Sequence, residues 1–304
     1  MMFASPDLPA AATWGRLRTF LAVYETGSVR AAAETLHVTP PAVSAAIAAL
    51  EDALGTRLFG KSGRGIVATD SGEIFAGYVR RLLGLLAEAA GAVHDADRGR
   101  VRIGAVATAS EYVLPVLMAT FARAHPHVEL SLSVLTRGEL FARAADHVFD
   151  IALAGRPPRG SGLVTAAQRS NRLLVVGRPG LVGDPLTTPW LLTGIGSGTR
   201  DTALSLLSRL QAAPPLLTLG TSGAAVAAAR EGLGVTLVHE EAAREQLASG
   251  ELVSYGVAGT PLDRPWHVCT TPEPTSATRL FVAHLCDPEQ VGAAAFHTRS
   301  RPKG

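Results

Sequence analysis

Short hydroxyl side chains and arginines gather at the ends of the apolar, strand-like runs between residues 101 and 239. Thr108 and Ser110 follow the first run, Thr136 and Arg137 the second, and Gly155 and Arg156 the third. Later come Ser197, Gly198 and Thr199, then Thr221 and Ser222, and His239 after a further strand. In open α/β sheets, ligands sit beyond the carboxyl ends of strands. Three of these groups also begin helices, where free N–H groups and a partial positive charge favour an anion. The expected guest is a small carboxylate or phosphate. The expected contacts are Thr108, Ser110, Thr136, Arg137, Arg156, Ser197, Thr199, Thr221 and Ser222, with Arg137 or Arg156 as counter-charge. The plainer alternative is that each hydroxyl is an ordinary helix cap and each arginine a solvated surface residue.

Other arrangements that could do chemistry fall short. Gly194, Gly196 and Gly198 precede a helix but lack the G-x-G-x-x-G spacing and the opening βαβ position of a dinucleotide site. No G-x-x-x-x-G-K-[ST] run occurs. The stretch Gly220-Thr221-Ser222-Gly223-Ala224 is one residue short of a nucleophile elbow, with no His or Asp placed to serve it. His125 and His127 flank Pro126 on a helix-to-strand turn and read as surface residues, not a metal pair. No cofactor, metal or catalytic residue is expected, and the chain does not read as an enzyme.

The first hundred residues follow a different logic. Leu17, Phe20, Leu21 and Tyr24 share one helical face, and Gly27 ends that helix. Ser28 caps a short helix, Val29 to Leu36. After a turn at His37 and Val38, Thr39 caps a third helix with Pro40 at its first position. This helix runs to Leu54, with Val43, Ile47, Leu50 and Leu54 on its inner stripe, and Gly55 stops it. Helix, short helix, tight turn, helix is the helix-turn-helix arrangement. The free face of the third helix offers Thr39, Pro41, Ser44 and Ala45, short enough to approach base edges in a major groove. Between Arg57 and Thr69, Lys61 and Arg64 stand among glycines in a loop or wing that can lie along phosphates. A plain three-helix bundle with a solvated surface fits the same periodicity.

A longer helix follows, capped by Thr69 or Asp70, with Glu73 in capping-box position. Ile74, Tyr78, Leu82, Leu85 and Ala89 form its stripe, which needs either a second subunit or the chain's own body to cover it. Gly77, Gly84 and Gly91 weaken it. From Val101 a repeated βαβ pattern predicts a parallel sheet with helices on both faces, in two α/β lobes joined by two crossings. The tail from Asp287 shows no core pattern.

The wording of the chain is itself informative. The stretches FLAV…GSVRAAAETLHVTPPAVS, IAALEDALGTRLF and TDSGEIF resemble the winged helix-turn-helix of LysR-type transcriptional regulators. The stretches VRIGAVATASEYVLPVLMATFARAHPHVELSL, FDIALAGRPP, GSGTR and AAAREGLGVTLV resemble the effector domain of the same family, which is similar in fold to periplasmic solute-binding proteins. The resemblance covers about residues 14–290, and ATASEYVLP and AGRPP look closer to the branch regulating carbon-fixation operons. It implies DNA contacts by Arg30, Thr39, Pro41 and Ser44, a wing role for Lys61 and Arg64, antiparallel pairing of the long helix, and assembly of homodimers into a homotetramer. Pro40 and Ala46 stand where the family often has Gln or another polar residue, so direct base readout is expected to be poorer. His239 stands where the family usually has Pro.

The expected organisation is therefore α/β. A winged helix-turn-helix spans 14–70 and a linker helix 71–95. A two-lobed effector domain of the periplasmic-binding-protein type spans 101–290, with lobe I at 101–162 and 266–290 and lobe II at 163–265. The composition agrees: 47% hydrophobic residues exclude a disordered chain, and a formal net charge of +2 means nucleic-acid binding must come from a local patch. Two cysteines are too few for a disulfide scaffold. With no transmembrane run and no export signal, the expected location is cytoplasmic. The expected partners are double-stranded DNA, a small anionic effector and further copies of the chain, with no membrane. A solute-binding transport component and an enzyme on a two-lobed scaffold are the rival classes.

Overall fold

A computed structural model describes residues 12–62, 65–92, 99–180 and 183–298. The chain divides into two compact units, one of residues up to Ala89 with the short segment Asp146–Val148, the other of the remainder.

The first unit opens with α1 (Trp14–Thr26), α2 (Val29–Leu36) and α3 (Pro40–Leu54). Gly27 and Gly55 end α1 and α3 in the left-handed conformation, where glycine carries no side-chain penalty. Ser28 caps α2 through its side chain, as expected, but Thr39 makes no side-chain cap bond to α3. Val43, Ile47 and Leu50 are buried on the stripe of α3, whereas Leu54 is exposed at the helix end. The wing is a two-stranded hairpin, β1 (Phe59–Ser62) and β2 (Gly65–Ala68).

Glu51, on the buried side of α3, holds the base of this hairpin. Its carboxylate accepts the backbone N–H groups of Leu58 at 2.8 Å and Phe59 at 3.1 Å and the Arg57 guanidinium at 2.8 Å. The long helix α4 (Asp70–Ala92) starts one residue before the expected boundary and is capped by the Thr69 hydroxyl, which accepts from Gly72 N–H. Glu73 is not engaged in a capping box; it accepts from the Tyr24 hydroxyl. The α4 side chains Phe75, Ala76, Val79 and Leu83 pack into the first unit's core.

The second unit begins with β3 (Gly99–Ala105), α5 (Ala107–Tyr112) and α6 (Leu114–Ala124). The single helix expected over 110–124 is two helices. Val113 stands between them and Pro115 in the first turn of α6, where a missing N–H cannot serve a continuing helix. Next come β4 (Val128–Val134), α7 (Arg137–Ala145), β5 (Ile151–Ala154), β6 (Val164–Arg169), β7 (Arg172–Gly177) and β8 (Trp190–Thr193). They are followed by α8 (Gly198–Arg209), β9 (Leu216–Gly220), α9 (Ser222–Arg230), β10 (Thr236–His239), a 3₁₀ turn over Glu240–Ala243 and α10 (Arg244–Ser249). The chain ends through β11 (Val253–Ser254), β12 (Leu262–Asp263), β13 (Trp266–Thr270), α11 (Ser276–Leu285), α12 (Pro288–Val291) and β14 (His297–Thr298).

The larger sheet runs β14-β6-β13-β5-β3-β4. It is mixed rather than parallel: β4, β3 and β5 run together, while β13 is antiparallel to both β5 and β6. Because β6 belongs to this sheet, the second lobe starts after Arg169 and not at residue 163. That lobe holds β7 antiparallel to β10, β11 and β12, and a parallel β8–β9 pair. On the edge strand β4 the alternation does not bury one full face, since Leu132 and Val134 are exposed. The tail also departs from expectation, because Val291 and Phe296 are buried in the first lobe's core. A buried ion pair, Arg169 to Glu241 at 2.7 Å, ties β6 to the 3₁₀ turn of the second lobe. Cys269 is buried, which pushes its thiol up to about 12, and Cys286 is half-buried; both are free.

Candidate functional site

The first unit presents one polar-edged face. Thr39, Pro41, Ser44 and Ala45 are all exposed at the start of α3, while Val43 among them and Ile47 just beyond point into the core. Helical spacing alone separates these two sets. Arg30 is exposed on α2 and pairs with Glu34 at 3.2 Å, a surface ion pair weak enough to yield to a phosphate. Lys61 is exposed on β1. Arg64 lies outside the described residues.

The second unit contains a cleft of about 990 Å³ between its two lobes. It is lined by Thr108, Thr136, Arg137, Arg156, Ser197, Thr199, Thr221 and Ser222, eight of the nine residues expected there. Ser110 does not line it; its hydroxyl bonds back to the Ala107 carbonyl within α5.

Most of the hydroxyls are already engaged. Thr108 and Ser222 bond each other at 3.0 Å across the lobes, and Thr136 donates to Glu139 at 2.7 Å. Those bonds from the Thr136 side chain and backbone hold the Glu139 carboxyl below its ordinary range. Thr193 donates to Ser197 at 2.9 Å, and Thr221 caps α9 by accepting from Ala224 N–H.

The ends of two helices on the cleft therefore differ. The N-terminus of α9 is closed by Thr221, whereas α8 has no side-chain cap at Ser197. Two arginines reach this open end. A Cβ placed on Gly198 would stand 3.7 Å from Arg137 Cδ and 3.9 Å from Arg264 Nη2. Arg137 donates to the Arg156 carbonyl at 2.6 Å. Among the described residues the Arg264 guanidinium has no acceptor, and desolvation and then the charge of Arg137 lower its pKa. Arg264 had no signal in the sequence beyond its place between Pro261 and Pro265, in a stretch without helix or strand period.

His239 and Trp266 also line the cleft. Their rings stack with centroids 4.3 Å apart, and burial, with the Arg264 charge behind it, lowers the His239 pKa to about 3. Among the described residues no cluster of His, Cys, Asp and Glu could hold a metal ion, and no helix is long and apolar enough to cross a membrane.

Comparison with known proteins places this geometry. Residues 14–73 match the bacterial regulatory helix-turn-helix protein of the lysR family, and residues 94–287 match the LysR substrate binding domain. The chain belongs to the LysR family of transcriptional regulators. Among curated relatives, the HTH-type transcriptional regulator CfxR of Cupriavidus necator is 32% identical, with 85% of each chain covered. The RuBisCO operon transcriptional regulator of Acidithiobacillus ferrooxidans is 30% identical, covering 84% of this chain and 87% of the relative. YeiE of Escherichia coli, an uncharacterized HTH-type transcriptional regulator, is 30% identical over 92% of this chain and 98% of its own. Solved structures share the fold: a full-length OxyR variant from Pseudomonas aeruginosa has a TM-score of 0.69 at 19% identity, covering 95% of this chain and 99% of that one. ArgP from Mycobacterium tuberculosis has a TM-score of 0.67 at 24% identity, covering 94% and 98%. The protein is thus a transcription regulator and not an enzyme, with a DNA-binding head and an effector-binding domain.

Proposed function

We propose that the protein binds double-stranded promoter DNA as a homodimer, assembling further to a homotetramer, and that a small anion in the cleft controls it. The observation that carries the effector reading is the uncapped start of α8 with Arg137 and Arg264 beside it. Free N–H groups, the Arg264 guanidinium and the charge of the neighbouring Arg137 make an anion the fitting ligand there. The DNA reading rests on the exposed short residues of α3, with Arg30 and Lys61 placed to meet phosphates. The dimer reading rests on α4, whose stripe is exposed among the described residues: Ile74 is 64% exposed, with Tyr78, Leu82, Leu85 and Leu86 alongside. A second copy of the same helix is the occupant that family membership favours. A regulator of this kind works in the cytoplasm. The CfxR and RuBisCO operon relatives support the carbon-fixation branch, while YeiE carries no such name.

An effector shifts the protein only by binding two conformations unequally, and couplings of about 1–3 kcal/mol are usual. The test is a gel shift of the full chain on DNA from upstream of its own gene, at stepped salt and with a panel of small carboxylates and phosphates. The expected outcome is a salt-dependent shift that one or more anions alter, with the alteration lost in Arg264→Ala. Indifference to every duplex at low salt sinks the DNA reading. An unchanged response in Arg264→Ala sinks the anion reading.

A further inference from the structure

We infer that His239 is a specificity-determining residue of the cleft, a fixed hydrogen-bond donor that selects anions carrying a second acceptor oxygen. The inference rests on the cleft being the effector site, and it names the ligand class more closely: hydroxy acids, keto acids or phosphate esters in preference to simple carboxylates.

Asn171 decides the proton's place. Its amide stands 2.9 Å from the Arg264 carbonyl, which can only accept, so the group there is Nδ2. The same Nδ2 lies 2.6 Å from His239 Nδ1. Nδ1 therefore accepts, and a neutral imidazole that accepts at Nδ1 carries its hydrogen on Nε2. One face of the ring is held against Trp266. Nε2 is left as the remaining polar edge of a residue that lines the cleft, and no described residue pairs with it. Burial and the Arg264 charge keep the ring neutral, so it offers a directed donor without adding charge.

A second feature marks this cluster. Trp266 Nε1 and Asn171 Oδ1 are both buried without a hydrogen-bond partner, in the same group of side chains that fixes His239. Unpaired buried polar atoms reduce stability, and they gather where function requires a particular arrangement. Arg264 belongs to this group through its carbonyl, while its guanidinium reaches the start of α8. One wall of the cleft thus supplies a charged anchor and a neutral donor. An anion alone satisfies the first, and only a ligand with a further oxygen satisfies both.

The experiment is calorimetry on the full chain with matched probes: acetate against glycolate, and propionate against pyruvate. The wild type is expected to bind the oxygen-bearing member of each pair about tenfold more tightly, the size of one good hydrogen bond. His239→Phe keeps a flat ring against Trp266 and removes the donor; the preference should fall to within twofold while binding of acetate and propionate persists. Should that variant not fold, ¹⁵N spectra of the histidine-labelled wild type, assigned by signal loss in His239→Gln, decide the point. A neutral Nε2–H form that does not titrate between pH 5 and 8 is expected. An Nδ1–H form, titration near 6.5, or an unchanged preference in His239→Phe overturns the inference. No preference in the wild type, with all binding lost in Arg264→Ala, overturns it and leaves the anion site standing. Binding that survives Arg264→Ala, or no binding of any probe, overturns both.

Discussion

The exposed face of α3 and the wall of the cleft meet their partners in different ways. The α3 face is a run of neighbours, Thr39 to Ala45, with small exposed side chains and buried Val43 behind them. It carries no buried polar group of its own, and helix packing alone aims it. The cleft draws Thr108, Arg137, Thr199, His239, Arg264 and Trp266 from segments spread over more than 150 residues of the chain. Its wall holds a neutral buried histidine and two unpaired buried polar atoms. A duplex is large, rigid and uniformly charged, so a shape and a few cations suffice to meet it. A small ion brings little surface, and the pocket must supply nearly all of the coordination itself.

If the first unit depends on packing to aim its face, the sharpest way to break it is inside. Glu51→Ala leaves the Leu58 and Phe59 N–H groups without their acceptor and frees the wing from α3. The expected loss is about 2–4 kcal/mol in stability of the first unit, read by denaturant unfolding, because unpaired buried donors cost about 1–3 kcal/mol each. A variant as stable as wild type would show that the hairpin is held by its apolar residues alone. Next in size is the pair Leu82→Glu and Leu85→Glu on the exposed stripe of α4. These side chains touch no core, so folding should survive. The subunits should separate in sedimentation, and operator affinity should fall about 100-fold as the advantage of two joined heads is lost.

The same contrast governs how much the sequence disclosed. The helix-turn-helix was legible almost residue by residue because its signals are local: caps at Ser28, stops at Gly27 and Gly55, and a stripe at helical spacing. The role of Glu51 was not, since a charged residue on a helix gives no hint that its carboxylate turns inward to two amides seven and eight residues on. In the second unit the strand ends pointed to eight of nine cleft residues. Among the hydrogen bonds that occupy those hydroxyls, Thr136–Glu139 and Thr193–Ser197 are local pairs, three and four residues apart, while the Thr108–Ser222 bond joins segments 114 residues apart and had no local trace. Arg264 and the Asn171–His239–Trp266 group were invisible for the same reason. So was strand β6, whose pairing with β13 places it in the first lobe's sheet.

The buried wall of the cleft should also show itself in pH dependence, where the α3 face should not. His239 has its pKa lowered from 6.5 to about 3 in the fold, so it takes up its proton on unfolding. Between those values the unfolded chain binds more protons than the folded one. Its contribution to stability is full above pH 6.5 and declines as the pH falls below it. From pH 7 to pH 5 the second unit should lose about 2 kcal/mol on this account, 1.36 kcal/mol for each unit below 6.5. Arg264 faces the ring and stays charged throughout this range. His284, also lowered by burial, adds in the same direction. His239→Gln should flatten the profile, leaving the part that His284 supplies. A wild-type profile equally steep in that variant would mean that His239 is not held neutral.

The smallest expected effect separates the two helix ends on the cleft. Thr221→Ala removes the hydroxyl that accepts from Ala224 N–H and should cost about 1 kcal/mol of stability, the usual value of an N-cap. If anions bind at the open start of α8, this loss should leave their affinity within twofold of wild type, because the Thr221 hydroxyl serves the Ala224 N–H of α9 and not the start of α8. Thr199, buried on the first turn of α8, gives the converse. Thr199→Pro removes one of the free N–H groups, in the first turn of α8, where proline breaks no intrahelical hydrogen bond. It should therefore weaken anion binding several-fold with little change in stability. Calorimetry beside thermal unfolding measures both quantities on each variant. A Thr221→Ala protein that loses anion affinity as strongly as Thr199→Pro would move the anion from one helix to both and remove the distinction drawn between them.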